Sequence, residues 1–164
     1  YLGQLYSKVF VDEKSTFFEE NIYIKLYKSG LNIFKNYPIF GVGNKNYRVE
    51  SCKDKNDIIK YEYQCTTHPH QVYIELLAEH GIFGTLILLS IFFFLIFKNL
   101  KTIVLSKNYP QIGCFLYLFT NFTPLIPSGS FFSDFNITLF FINFSIFIAC
   151  NPSSNIFNRK IVDR

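Results

Sequence analysis

Seventeen consecutive residues without a charge, Gly81 to Phe97, set the tightest limit on how this chain can fold. As an α-helix the stretch reaches roughly 26 Å, close to the lower bound for crossing the hydrocarbon core of a bilayer. Directly before it stands His68-Pro69-His70-Gln71-Val72-Tyr73-Ile74-Glu75-Leu76-Leu77-Ala78-Glu79-His80. A titratable cluster therefore sits at the mouth of an apolar segment. Imidazoles placed there can either cap a membrane helix at its interface or carry chemistry at the membrane surface, because histidine is the side chain that titrates near neutral pH unaided. Spacing alone does not choose between the two.

Two further apolar runs follow, Gln111–Ile126, interrupted by Asn121, Thr123 and Pro124, and Phe131–Cys150, with Asp134 near its start. Charge is distributed to match. Residues 1–80 hold ten Lys/Arg and ten Asp/Glu, whereas the remainder holds six Lys/Arg and two acids, Asp134 and Asp163. A chain that is 49% hydrophobic is too apolar for disorder, and its uneven charge excludes an ordinary soluble domain. The reading is an all-α integral membrane protein with a polar loop over residues 1–80, then three transmembrane helices and a tail over 81–164. The absence of methionine, position 1 included, reads as the C-terminal fragment of a longer protein.

Orientation follows from basic residues in short loops. Lys98, Lys101 and Lys107 mark one cytoplasmic turn, and Arg159, Lys160 and Arg164 mark a cytoplasmic C-terminus. The turn Pro127-Ser128-Gly129-Ser130 and the loop carrying His70 then face outward. Sequons at Asn121, Asn136 and Asn143 fall within apolar runs and carry no glycosylation signal.

In the polar half, Ser15 or Thr16 with Glu19 looks like a capping box opening an amphipathic helix from Phe17 to Asn36, which Pro38 stops. That helix either packs on the rest of the protein or lies at the membrane interface with Lys25, Lys28 and Lys35 toward lipid phosphates. Gly41-Val42-Gly43 permits a tight turn, but without a preceding strand and a third glycine it is no dinucleotide site. Arg48 is the one arginine among ten cations of this half, which hints at a planar, two-pronged donor for phosphate or carboxylate. A surface ion pair with Glu50 is the competing reading. Cys52 and Cys65 bracket a charged loop and suit a disulfide in an oxidising compartment, with a contribution of roughly 3 kcal/mol. Zinc held by Cys52, Cys65, His68 and His70 competes, but the spacing matches no closed zinc pattern, so no metal is assigned.

The sequence Pro38-Ile39-Phe40-Gly41-Val42-Gly43, then Tyr47-Arg48, Cys52, and Cys65-Thr66-Thr67-His68-Pro69-His70 through Glu79-His80-Gly81-Ile82-Phe83-Gly84 resembles the signature region of the O-antigen ligase and O-antigen polymerase family. Pro127-Ser128-Gly129-Ser130-Phe131-Phe132 is similar to that family's last external turn. The resemblance implies a GT-C-like, multi-spanning helical fold in the bacterial inner membrane, with the loop carrying His70 in the periplasm. It implies a glycosyltransferase in surface polysaccharide (lipopolysaccharide) biosynthesis, moving a glycan from undecaprenyl diphosphate to an acceptor sugar. The acceptor is either lipid A core or another lipid-linked repeat. No metal, cofactor, nucleotide sugar or nucleic acid is called for, and the fragment alone is expected to be inactive.

By the same resemblance His70 is the catalytic histidine and Arg48 the arginine that engages the diphosphate. Lys25, Lys28, His68, Gln71 and Glu79 complete the expected substrate-binding set. Gln71 stands where the family usually has Asn, and Lys25 and Lys28 stand where it often has an arginine. Glu75 and Glu79, one helical turn apart, can orient an imidazole or an arginine, or can cap a solvated face, the latter favoured for Glu75. Two other classes remain beside the enzyme: a membrane transporter subunit whose external loop binds substrate, and a non-catalytic anchor.

Overall fold

The computed structural model describes residues 21–53, 64–124 and 127–150. Every regular element among them is helical: α1 (Ile22–Asn36), α2 (Tyr47–Glu50), α3 (Val72–Ser106), α4 (Tyr109–Thr120) and α5 (Asp134–Ala149). The capping box expected at Ser15 or Thr16 with Glu19 and the basic tail lie outside the described residues.

α1 is capped by Asn21, whose side-chain oxygen accepts the Tyr23 amide at 3.0 Å. Its buried residues, Leu26, Ser29, Gly30 and Ile33, recur every three to four positions and so form one stripe. That stripe packs on α3, where a Cβ at Gly30 would fall 2.3 Å from the Ile74 side chain.

α3 is 35 residues long but not one continuous helix, because Gly81 adopts φ 63° and ψ −170°. That backbone region is open in practice only to glycine. The break separates the carbonyls of Ala78 and Glu79 from the amides of Ile82 and Phe83, their partners in an unbroken helix. The segment after α1 takes both sides. Val42 and Gly43 donate their amides to Ala78 O and Glu79 O at 3.0 and 2.8 Å, while Ile82 and Phe83 donate to Pro38 O and Ile39 O at 2.9 and 3.3 Å. Main chain lies against main chain here: a Cβ at Gly41 would sit 2.3 Å from Glu79 C, and one at Gly81 would sit 2.3 Å from Ile39 O.

Among the described residues one helix, the 34-residue stretch Val72–Leu105, is long and apolar enough to cross a bilayer. α4 has 12 residues and α5 has 16, so they extend only about 18 and 24 Å. α4 stops early because Thr120 Oγ1 and Asn121 Nδ2 both donate back to Tyr117 O, which favours termination. All three sequon asparagines use Nδ2 in this internal manner, Asn136 to Ser130 O and Asn143 to Leu139 O.

α4 and α5 run antiparallel, since Gln111 Nε2 donates to Phe147 O and Asn108 Nδ2 to Cys150 O at one end. At the other end Tyr73 Oη donates to Phe122 O at 2.6 Å. The start of α3 and the 127–133 turn therefore share one end, and the α3–α4 turn lies at the opposite one. Between them Phe92, Phe122 and Phe140 form the apolar centre, with Phe131 packed on it.

Gly81→Ala and Gly41→Ala are expected to cost at least about 3 kcal/mol each, since strained φ and backbone overlap add. Gly113→Ala is the control: nothing lies within 4 Å of an added Cβ, so a mid-helix alanine should stabilise by about 0.5–1 kcal/mol. Apparent melting temperatures in detergent would rank the three.

Candidate functional site

The polar cavity forms where the Gly41–Gly81 crossing, α2 and the turn before α5 converge. Tyr47 fixes α2: it is fully buried, its phenol donates to Leu26 O at 3.5 Å, and it packs with Ile33 and Ala78. Burial raises the Tyr47 pKa, so the phenol stays protonated. With Tyr47 inward, the next residue, Arg48, points out into a cavity of about 430 Å³ that it lines with Lys45, His68, Glu79, Ser130 and Asn136, among others. Lys45 reaches across to Asp134 at 2.8 Å and so links the two walls.

The disulfide Cys52–Cys65, with Cα atoms 4.7 Å apart, ties the end of α2 to the segment before His68. Beside it Ser51 Oγ donates to Thr66 O at 2.8 Å. Arg48 does not pair with Glu50, whose carboxylate instead accepts Lys53 at 3.1 Å and the Tyr37 phenol.

His70 stands just before α3 with φ 56°, a left-handed conformation that histidine tolerates better than most residues. Its backbone carbonyl accepts the Ser128 amide at 2.8 Å, and its Nδ1 lies 3.2 Å from Ser128 O. A carbonyl can only accept, so Nδ1 carries a proton, and in the neutral ring the lone pair is then on Nε2. The His68 and His70 rings are 4.0 Å apart; His68 lines the cavity, and His70 packs on it without being a lining residue itself. His68 Nε2, Glu79 Oε2 and Ser128 Oγ are buried without a hydrogen-bond partner among the described residues. Two of these residues, His68 and Glu79, line the cavity, and unsatisfied polar atoms there are what a hydroxyl-rich ligand would relieve.

Other expected residues are placed differently. Gln71 is buried and caps α3, its side-chain oxygen accepting the Ile74 amide at 2.8 Å, so it serves the helix and not the cavity. Lys25 and Lys28 ride on α1 and are not among the cavity's lining residues. Lys45, in the turn before α2 and three residues ahead of Arg48, is the lysine that lines the cavity; that proximity is its only sequence signal. Glu79 and Glu75 do not cap a solvated face. They are 2% and 1% exposed, because α3 turns that face toward α2 and the 127–133 turn. Glu79 Oε1 accepts the Tyr47 amide at 3.4 Å. Glu75 accepts the Ser130 hydroxyl and, at 2.9 Å, the Phe131 amide. His80 stacks edge-on against Phe132, with ring centroids 4.8 Å apart. Among the described residues no three His, Cys, Asp or Glu side chains gather around one point as metal ligands do.

Burial, and then the neighbouring His70, hold the His68 imidazole below its ordinary pKa. The folded protein thus favours neutral His68, while the unfolded chain takes up the proton more readily. Stability from this source is full above about pH 6.5 and declines as the pH falls toward the lowered folded value. Melting profiles between about pH 7.5 and 5 should show the wild type losing more stability than His68→Gln, in which the titrating group is gone.

A family model described as O-antigen ligase matches residues 1–89. No curated protein and no solved structure matches the chain. The matched region contains α1, α2, the Gly41–Gly81 crossing, Arg48, His68 of the cavity and the neighbouring His70.

Proposed function

The chain belongs to the O-antigen ligase family, and with it to enzymes of glycan transfer in polysaccharide biosynthesis; from that premise we propose that it moves a glycan from an undecaprenyl diphosphate carrier to an acceptor sugar. The observation that carries the reading is the His70–Ser128 pair. It leaves the lone pair of a neutral His70 on Nε2, in a ring 4.0 Å from that of His68, which lines a cavity together with a guanidinium and an ammonium group.

In this mechanism the acceptor hydroxyl gives its proton to His70 Nε2 as its oxygen attacks the anomeric carbon. The bond from that carbon to the diphosphate oxygen breaks with inversion, and the carrier leaves as its diphosphate. Arg48 offers a forked donor to the departing oxygens and Lys45 a second positive charge, so charge that develops is met by groups already in place. Glu79 Oε2 is suited to a sugar hydroxyl. An apolar cavity of about 230 Å³, walled by Phe92, Phe140 and Phe141, shares Phe132 with the polar one. A polar headgroup site adjoining an apolar slot suits a phosphorylated polyprenol.

The arrangement in the membrane follows from the same reading. α3 crosses the bilayer, α4 and α5 with their flanking turns complete two further passes, and the end bearing His70 and Ser128 faces the periplasm. The Lys98–Lys107 turn then faces the cytoplasm.

His70→Asn keeps a residue that tolerates positive φ but removes the base, and is expected to lower transfer roughly 100- to 10,000-fold at normal membrane abundance. Arg48→Lys, which retains charge but loses the fork, should weaken use of the lipid-linked donor roughly 10- to 100-fold. Gel profiles of surface glycan from a strain that depends on this protein read both. Normal glycan from His70→Asn would remove the catalytic assignment and move the transporter and anchor readings ahead.

A further inference from the structure

Glu75 lies outside the cavity, yet its surroundings connect it to His70. It is 1% exposed, and both of its carboxylate oxygens are spent on the turn before α5, one on the Ser130 hydroxyl and one on the Phe131 amide. The same turn carries Ser128, whose carbonyl meets His70 Nδ1 at 3.2 Å and whose amide is bound to His70 O at 2.8 Å. Asn136 Nδ2 holds Ser130 O at 2.8 Å from the α5 side. A buried carboxylate is a costly anchor on a helix where an apolar residue would pack.

We propose that Glu75 is a positioning residue: it latches the 128–131 turn to α3 so that the Ser128 carbonyl keeps the proton of His70 on Nδ1 and the lone pair on Nε2. This rests on the glycosyl-transfer reading above. Glu75 touches no substrate. Its effect passes through the turn, as the carbonyl it positions decides which nitrogen of the imidazole is basic. A histidine in the wrong tautomer presents N–H to the acceptor hydroxyl and cannot take its proton.

The test uses the whole protein in nanodiscs with a lipid-linked glycan donor. Glu75→Leu removes the latch while filling the space. Glu75→Gln can keep it, its oxygen accepting from Phe131 and its amide donating to Ser130. We expect Glu75→Leu to lower kcat roughly 100-fold, within what a positioned base contributes, with donor KM changed less than about 3-fold. Glu75→Gln should restore kcat to within about 5-fold of wild type, since it can keep both hydrogen bonds.

Nitrogen-15 spectra of histidine-labelled protein supply the readout that a merely structural role would not move. The signal lost in His70→Asn should report the Nδ1–H form in wild type and Glu75→Gln, and a mixed or Nε2–H form in Glu75→Leu. An unchanged tautomer or an unchanged kcat in Glu75→Leu overturns the proposal. If Glu75→Leu does not reach the membrane, Ser130→Ala removes one of the two latch donors. A wild-type His70 tautomer in that variant then overturns it equally. Should His70→Asn itself remain active, the transfer mechanism fails; if His70→Asn is dead and Glu75→Leu is normal, only the latch fails.

Discussion

Four main-chain hydrogen bonds between the Pro38–Gly43 segment and the break in α3 decide where everything else stands. Breaking a helix at Gly81 leaves two carbonyls and two amides unpaired, at a depth where water is scarce if α3 spans the membrane. The segment after α1 satisfies all four. In return the chain gains a rigid crossing from which α1, α2 and the loop to His70 are suspended. The cost of the left-handed glycines is met by bonds that only backbones in contact can form, which is why neither glycine has room for a methyl group.

From that crossing the site is assembled by buried groups and not by surface charge. Tyr47 sits in the angle between α1 and α3 and turns Arg48 outward. Glu79 holds the Tyr47 amide from one side of α3, and Glu75 holds the turn before α5 from the same helix, one turn earlier. Each carboxylate fixes a different wall of one cavity. The Lys45–Asp134 pair, exposed on both sides, joins those walls more loosely and contributes little by itself.

Much of this was legible in the sequence, though not all for the right reason. The apolar run after Gly81, the helical class and the prominence of His70 follow from hydropathy and from a motif. Gly41-Val42-Gly43 is legible as a tight turn whose glycines allow positive φ or close backbone approach, and both occur. Its partner is Gly81, some forty residues on, and nothing in local pattern announces a backbone-to-backbone contact at that separation. Glu75 was favoured for a solvated face because a carboxylate at a helix start usually caps one; the Ser130 and Phe131 donors that bury it come from beyond α4. Lys25 and Lys28 are named because they stand where the resembled family often has an arginine; that Lys45 lines the cavity and they do not depends on how α1 is rotated on α3. The side-chain oxygen of Gln71, expected among the substrate contacts, caps α3, a use that its position just before the helix also allows.

A joint written in main chain has a consequence for inheritance. Ile39 and Phe40 are 51% and 76% exposed, and none of the four bonds uses a side chain. Substitutions can therefore accumulate at Ile39 and Phe40 without loosening the crossing, provided that both glycines persist. Descendants of such a protein could drift until little recognisable text remained, with the same corner still holding the same imidazole.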